Sequence, residues 1–279
     1  MADMFKNGYT ETTANTEGYI EKYIATTEFD SRLDEMLADG QQMFTVKSTL
    51  EGQDGDLIAK TVYTYEGNVV DADTGELVPD ADRGKLNYHI KELRIKAFKH
   101  VFDMTDKEKR QNSNVLTMKS QGAAEVCYEF IDDNFYKALN TITNTQTYTV
   151  LNWDTVEDAL GSLKVKSYAN MFVLVSPEDY TVLKKSIRKE LINTNMGSEI
   201  TSMGYFMTVD GLTIVKSEKL TVGTFYIVRN DSVVYERKQN VNVSTDKYNE
   251  KELETFVFKF AGIVYVDSEK YAIKLTKQA

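Results

Sequence analysis

The stretch YFMTVDGLTIV (205–215) begins a run of strand-like segments that fills the last third of the chain. Four more segments follow it: GTFYIVR (223–229), DSVVYERKQNVNVST (231–245), ETFVFKFAGIVYV (254–266) and YAIKL (271–275). They are rich in β-branched and aromatic residues, and polar residues alternate with apolar ones in several of them. This part of the sequence therefore predicts consecutive β-strands, and no catalytic motif interrupts them.

A long apolar stripe lies upstream of these strands. Its members recur at intervals of four, the spacing of one helical face, and they are Ala123, Cys127, Ile131, Phe135 and Leu139. Thr105 and Glu108 have the Thr-x-x-Glu spacing with which two side chains satisfy free backbone donors at a helix start. We therefore expect one helix of roughly 35 residues from Thr105, about three times the usual length, with its stripe packed on the C-terminal strands.

Residues 1–40 contain nine acids and three bases. Two groups of apolar residues there have helical spacing, and they are Tyr19, Ile20, Tyr23 and Ile24, then Phe29, Leu33, Met36 and Leu37. The spacing predicts two short helices in a loosely held arm. A frayed terminus is the alternative.

Residues 41–103 have the pattern of a long hairpin. TVKSTL (45–50) and IAKTVYTY (58–65) lead out, and LNYHIKELRIKAFKHVF (86–102) leads back with alternating apolar and basic residues. The connection between them is rich in turn residues. Residues 41–84 contain nine acids and three bases, whereas residues 85–110 contain eight bases and four acids.

Residues 150–200 alternate between helical and strand patterns. Asp154 can cap a helix over TVEDALGSL, and MFVLV (171–175) is a short, fully apolar strand. Ser176 and Pro177 then begin a second helix, with Pro at the first helical position and acids in the first turn.

The composition excludes several classes of protein. The net charge of −10 argues against a dedicated nucleic-acid binder, which needs a basic excess. The single cysteine, Cys127, excludes an intramolecular disulfide framework. We see no signal peptide and no apolar run long enough to span a membrane.

The candidate chemical sites are weak. DADTGE (71–76) resembles a calcium loop but has its glycine at the fifth position, where the loop needs one at the sixth. Cys127 with His89 or His100 could form a nucleophile and base, but Cys127 lies in the apolar stripe and no third group orients the pair. The basic run Lys184, Lys185, Arg188 and Lys189 could touch DNA, although a solvated helix face is the simpler interpretation. We predict no catalytic residue, cofactor or metal.

The C-terminal half, with MGYFMTVDGLTIVKSEKLTVGTFYIVRNDSVVYERKQNVNVSTD (203–246) and FAGIVYVDSEKYAIKL (260–275), resembles the closing section of a tailed-phage major capsid protein of the Hong-Kong-97 type. FVLVSPEDYTVLKK (172–185) is similar to a strand-then-helix unit of that family's axial domain. The order of elements also resembles the family over nearly the whole chain.

The resemblance implies an α+β fold with five regions. They are an N-terminal arm (1–40), an extended loop and returning strand (41–104), a spine helix (105–149), an axial domain (150–230) and peripheral-domain strands (231–279).

The resemblance also implies a subunit that assembles into hexamers and pentamers around double-stranded DNA, in the virion and formed in the bacterial host cytoplasm. Because only about 40 residues precede the hairpin, we expect scaffolding from a separate protein or from this arm, and a portal as a further partner. A cross-link of Lys85 with Asn240 or Asn242 has no supporting local pattern, so we expect noncovalent contacts.

The charge split predicts where neighbouring subunits meet. We expect an acidic group on the hairpin of one subunit, namely Asp71, Asp73, Glu76, Asp80 and Asp82, to contact a basic group on the next, namely Lys107, Lys109 and Arg110. Such pairs would set register more than affinity.

Three alternatives stay open at this stage. The first is an encapsulin-like shell around protein cargo. The second is an α+β enzyme, for which the sequence offers no acid–base pair. The third is a monomeric binding module.

Overall fold

A computed structural model describes residues 13–40, 43–50, 57–66, 83–165, 167–191, 201–203, 206–209, 211–248 and 252–278. Within these residues the helices are α1 (Thr13–Gly40), α2 (Asp106–Gln111), α3 (Val115–Leu139), α4 (Trp153–Ser162) and α5 (Pro177–Leu191). The strands before α5 are β1 (Thr45–Lys47), β2 (Leu57–Glu66), β3 (Lys85–Arg94), β4 (Lys96–Thr105), β5 (Thr145–Tyr148) and β6 (Met171–Val175). The strands after α5 are β7 (Thr201–Met203), β8 (Phe206–Val209), β9 (Leu212–Lys216), β10 (Thr224–Arg229), β11 (Val233–Tyr248), β12 (Leu253–Val266) and β13 (Ala272–Lys277).

The strands form three sheets. The first has four strands in the order β1-β11-β12-β4, and the second has seven in the order β5-β13-β10-β6-β9-β8-β7. The third is the two-stranded hairpin β2-β3. The predicted C-terminal strands are confirmed, but β13 pairs with β10 and β5 in the seven-stranded sheet, not with the strands that precede it.

Helices α1 and α3 cover one face of the four-stranded sheet. The predicted stripe of α3 is confirmed, because all five of its residues are buried in one apolar cluster with residues of β4, β11 and β12. From α1 the ring of Phe29 stacks on Phe258 of β12, with 4.8 Å between the centroids. The four-stranded sheet and these two helices therefore share one hydrophobic core.

The seven-stranded sheet is covered on both faces, which explains its fully apolar β6. Phe172 and Leu174 belong to the cluster of α1 and α3. Met171, Val173 and Val175 belong to a second cluster, which α4 and α5 cover. A strand with both faces buried reads as a continuous apolar run, as the sequence predicted here.

The expected helix of roughly 35 residues is wrong, because the chain forms two helices there. The capping box at Thr105 is confirmed, but α2 ends at Gln111 and its C-cap Asn112 has extended backbone angles. The side chain of Asn112 accepts a hydrogen bond from the backbone N–H of Asn114, at 2.9 Å. Asparagine side chains that bond to nearby backbone groups compete with helix formation. The sequence QNSN (111–114) therefore interrupts the helix before α3 begins.

The N-terminal expectation is also wrong for the described residues. Residues 13–40 form one helix, α1, not two. The second apolar group contributes Phe29, Leu33 and Leu37 to the core, so this arm is packed rather than loosely held. Ile20 and Tyr23 of the first group are exposed, at 47% and 54%.

Two local predictions also need correction. TVKSTL does not lead into the hairpin, because β1 pairs in parallel with β11 in the four-stranded sheet. The cap of α4 is Asn152, which accepts a hydrogen bond from the backbone N–H of Thr155 at 3.0 Å, and Asp154 lies inside the first turn. Pro177 at the first position of α5 is confirmed, with Glu178 and Asp179 in its first turn.

Candidate assembly surfaces

The hairpin is a ribbon of two strands that pair only with each other within the described chain. Its register runs from Leu57 opposite Arg94 at one end to Glu66 opposite Lys85 at the other. At about 3.3 Å per residue, this ribbon is about 30 Å long. The predicted hairpin is thus confirmed over β2 and β3, but the rest of the predicted returning strand is β4, which pairs with β12 in the four-stranded sheet. The predicted acidic contact residues, Asp71, Asp73, Glu76, Asp80 and Asp82, lie outside the described residues.

The start of α2 is held by a reciprocal capping box. The backbone N–H of Thr105 donates to Glu108 at 2.8 Å, and the backbone N–H of Glu108 donates to the Thr105 hydroxyl at 3.2 Å. The ammonium of Lys119 on α3 adds an ion pair to Glu108 at 2.9 Å. The Thr105 hydrogen bond and this ion pair lower the pKa of Glu108 to about 2. The carboxylate therefore stays charged and joins α2 to α3.

The ammonium of Lys109 lies between two carboxylates of its own chain. It is 2.8 Å from Glu21 of α1 and 2.5 Å from Glu254 of β12. The side chain of Glu254 is only 4% exposed. Burial and the nearby charge of Glu21 raise the pKa of Glu254. The hydrogen bonds that Lys109 donates to the two carboxylates raise the pKa of Lys109 despite its burial. This cluster ties α1, α2 and the sheet together.

The predicted basic contact residues therefore differ in what they can offer a neighbour. Lys109 is engaged inside the subunit, as just described. Lys107 is exposed, and the Arg110 side chain is 74% exposed with a 4.0 Å approach to Glu252. Contact of Lys107 and Arg110 with another subunit stays a prediction.

The face of the four-stranded sheet opposite the helices carries charges that the sequence analysis did not single out. On this face Lys99 of β4 lies directly opposite Lys259 of β12, and Val101 lies opposite Val257 in the next row. Both lysines are exposed. Neither forms an ion pair with any residue that the structure describes. We call Lys99 and Lys259 the lysine pair. The alternation of lysine with apolar residues within each strand is visible in the sequence. The position of Lys99 opposite Lys259 depends on the register of two strands that are far apart in the chain.

A cleft at the junction of the two larger sheets holds the other charged cluster. The Arg229 guanidinium forms two hydrogen bonds of 2.6 Å to Asp231 and stacks on the Tyr271 ring at 3.7 Å from its centroid. Glu269, also at the cleft, accepts hydrogen bonds from the backbone N–H and the hydroxyl of Thr143. Arg229 and Asp231 thus neutralise each other, and the described residues that line the cleft include no nucleophile with an adjacent base.

The possible nucleophile is also unsuited to chemistry. Cys127 is 3% exposed, and burial raises its pKa to about 12. The thiolate is the reactive form, so this thiol acts as a small apolar side chain. Burial lowers the pKa of His100. The described ranges hold no group of three or more His, Cys, Asp or Glu placed to bind a metal ion. None of the helices in these ranges is long and apolar enough to cross a membrane.

Comparison with known proteins agrees with this architecture. None of the curated protein sequences matches the chain. Among solved structures, the capsid of a native GTA particle matches with a TM-score of 0.66 at 10% identity, covering 86% of this chain and 89% of that one. The capsid of Ralstonia phage GP4 has a TM-score of 0.62 at 8% identity, with 85% and 88% covered. The holo-SrpI encapsulin of Synechococcus elongatus PCC 7942 has a TM-score of 0.58 at 15% identity, with 84% and 85% covered.

These TM-scores establish a common fold, and the family assignment comes from the sequence itself. Residues 90–267, well over half of the chain, match the family described as phage capsid protein. The match runs from the returning strand of the hairpin to the end of β12, and it includes every strand of the two large sheets except β1 and β13. The chain therefore belongs to the phage capsid protein family, and it is a structural shell protein with the Hong-Kong-97-type fold of tailed-phage major capsid proteins.

Proposed function

We propose that this capsid protein assembles with copies of itself into an icosahedral shell of hexamers and pentamers that encloses double-stranded DNA. The observation that carries this proposal is the hairpin β2-β3, which has no third strand within the described chain. A lone two-stranded hairpin is marginally stable in water, and its free edges invite pairing with other chains. A neighbouring subunit supplies the surface against which such a ribbon becomes stable.

The charge distribution supports a contact between copies in the same region. Residues 67–82, which connect β2 to β3, contain five acids and no base. Residues 85–110 carry eight bases against four acids. We propose that the acidic connection of one subunit contacts a basic surface of the next, for which Lys107 and Arg110 are the sequence-predicted candidates. Exposed pairs contribute about 0–1 kcal/mol each, so their effect comes from repetition around the shell.

We propose further that the shell forms in the bacterial host cytoplasm and becomes the capsid of the virion. A separate scaffolding protein and a portal are the expected partners. The net charge of −10 supports enclosure of DNA without sequence-specific binding, because a dedicated DNA-binding surface needs a basic excess.

A second candidate is a compartment around protein cargo. The similarity to the SrpI encapsulin, at 15% identity over 84% of this chain, is the observation that favours it. Both candidates share the subunit fold and the assembly step, and they differ in what lies inside the particle.

The test is expression of the full chain followed by sedimentation and negative-stain microscopy. The proposal predicts closed particles, with nuclease-protected DNA in particles recovered from infected cells. Particles that contain one defined protein and no protected DNA would favour the compartment. A chain that stays monomeric at all concentrations, with or without a co-expressed scaffolding protein, would contradict both candidates.

A further inference from the structure

Strand β4 forms an open edge of the four-stranded sheet. It pairs with β12 on one side, and no strand that the structure describes pairs with it on the other. Just after β4, the backbone N–H of Asp106 donates to the carbonyl of Glu252 at 3.0 Å. Because bonded and non-bonded residues alternate along an antiparallel strand, the even-numbered residues of β4 bond to β12. The open edge therefore presents the backbone groups of the odd-numbered residues Lys99, Val101 and Asp103.

The charges along this edge change sign at Val101. Lys99 lies two residues before it and Asp103 lies two residues after it. Lys96 and Asp106 lie five residues before and after it. The Val101 side chain is 42% exposed, and none of the four charged side chains forms an ion pair with a residue that the structure describes. A second copy of the same strand, running in the opposite direction, is therefore the electrostatic complement of this edge.

Resting on the proposed shell function, we propose that β4 pairs with β4 of a second copy, antiparallel and about a two-fold axis at Val101. In this register Lys99 of each copy lies opposite Asp103 of the other. Lys96 likewise lies opposite Asp106. Unlike charges directly opposite each other stabilise antiparallel strands, and like charges destabilise them. The contact is isologous, because the same surface serves both copies, and it joins the two four-stranded sheets into one sheet of eight strands.

The charges select this register over the neighbouring ones. An axis at Lys99 would place the two copies of that lysine opposite each other, and an axis at Asp103 would do the same with two carboxylates. An axis at His100 or Phe102 would place Lys99 and Asp103 opposite uncharged residues. Of these five registers, only the one centred on Val101 pairs both charges with their opposites.

The same contact accounts for the lysine pair. Natural proteins place lysines on edge strands to prevent pairing with other chains, but that protection needs no acid at the mirrored position. Pairing with one specific copy does need it. The Asp103 carboxylate accepts one hydrogen bond of 2.7 Å, from the Thr255 hydroxyl, and an ionised carboxylate has room for about four. In the paired copies, this carboxylate lies beside Lys99 of the other copy and offsets the repulsion between Lys99 and Lys259.

Cysteine substitution in the full chain tests the register. Val101→Cys places two thiols at the axis, where the Cα atoms of a bonded antiparallel pair are about 5.5 Å apart, within the range of a disulfide. Lys99→Cys is the control, because its two copies would lie about 14 Å apart. After mild oxidation of the particles with copper phenanthroline, Val101→Cys should give at least about ten times more cross-linked dimer than Lys99→Cys on a non-reducing gel. The native Cys127 is 3% exposed, so the wild-type chain should give none.

A charge exchange tests the chemistry of the contact. Lys99→Asp places like charges opposite each other twice in each pair of copies, so the critical concentration for particle formation at 0.1 M salt should rise about tenfold. Asp103→Lys should have the same effect. Lys99→Asp combined with Asp103→Lys restores unlike charges in this register and should assemble like the wild-type chain. Lys185→Asp on the exposed face of α5 changes the net charge as Lys99→Asp does and should leave assembly unchanged. Circular dichroism checks that each variant folds.

The outcomes separate this inference from the proposed function. Particles of Val101→Cys without cross-linked dimer, or with no more dimer than Lys99→Cys gives, would overturn the β4 contact and leave the shell intact. Normal assembly of both single charge variants, or impaired assembly of the combined variant, would also overturn it. Failure of the wild-type chain to form particles would count against the proposed function, whereas Val101→Cys dimers in solution would still support the β4 contact.

Discussion

Truncation of Phe135 to alanine should be among the most damaging single changes in α3. The ring is 0% exposed and lies 5.4 Å from the Phe44 ring and 5.2 Å from the Tyr136 ring, measured between centroids. Phe→Ala in a packed core costs about 3–5 kcal/mol through lost transfer energy and the cavity that remains. We expect the upper half of that range. Phe135 extends from α3 into the core that α3 shares with Phe44, before β1, and with the four-stranded sheet, and these elements cannot all move into the space that the ring leaves.

The assay is guanidinium denaturation of the unassembled subunit, followed by circular dichroism. The chain has two apolar clusters, and if they unfold in separate transitions, only the transition of the α1–α3 cluster should shift. Met118→Ala on the same helix is the matched control, because its side chain is 62% exposed and should cost less than about 0.5 kcal/mol. A loss below about 1 kcal/mol for Phe135→Ala would show that the stripe of α3 does not carry the core.

Three further changes test other parts of the subunit. Lys109→Met leaves the carboxylates of Glu21 and Glu254 without their cation, and it should lower the free energy of unfolding by about 2–3 kcal/mol in chemical denaturation. Burial raises the pKa of Glu254 above its ordinary 4.5. In the pH range between the two values, the carboxyl group is protonated in the folded state and ionised in the unfolded chain. The free energy of unfolding should therefore fall as pH rises through that range. Chemical denaturation at successive pH values should show a smaller fall for Glu254→Gln. Gly262→Ala would place a Cβ 2.8 Å from the Tyr235 ring, so it should cost about 1–3 kcal/mol, and an unchanged melting temperature would show that the strand can shift.

The parts of the fold that the sequence predicted well are those with a local cause. The stripe from Ala123 to Leu139 reports one buried helical face, and an interval of four is enough to find it. Pro177 fits the first turn of α5 because its missing N–H has no partner to lose there. The short apolar strand predicted at MFVLV is confirmed as β6, and its residues divide between the two clusters that cover its two faces.

The parts that failed depend on partners far away in the chain. The alternation in β13 is the same whichever sheet it joins, so its place beside β10 could not be derived from its own residues. The parallel pairing of β1 with β11 joins segments about 190 residues apart, such as Thr45 and Val234. The break between α2 and α3 did have a local signal in Asn112 and Asn114, but the Thr105 cap and the stripe suggested one continuous helix.

The candidate assembly surfaces show the same difference between features with a local cause and features that depend on distant residues. The charge imbalance between residues 41–84 and 85–110 could be counted from the sequence, and the predicted contact between subunits was based on it. The sequence could not show which basic side chains form ion pairs inside the subunit. Lys109 pairs with Glu21 of α1 and Glu254 of β12, two elements that are far from it in the chain. The lysine pair was missed for the converse reason, since only the β4–β12 register places Lys99 opposite Lys259.

The contacts that hold the subunit together and the proposed contacts between subunits lie in different parts of the fold. The two large sheets are joined by the passages from β10 to β11 and from β12 to β13, where the Asp267 N–H donates to the Ser232 carbonyl at 2.8 Å. The loop before β10 adds Lys219, whose ammonium lies 2.7 Å from Asp132 and 2.6 Å from Asp133 of α3. Within the described chain, the two strands of the hairpin pair only with each other, and β3 leads directly into β4. Core substitutions should therefore change unfolding and assembly together, whereas changes in the acidic connection should change assembly alone.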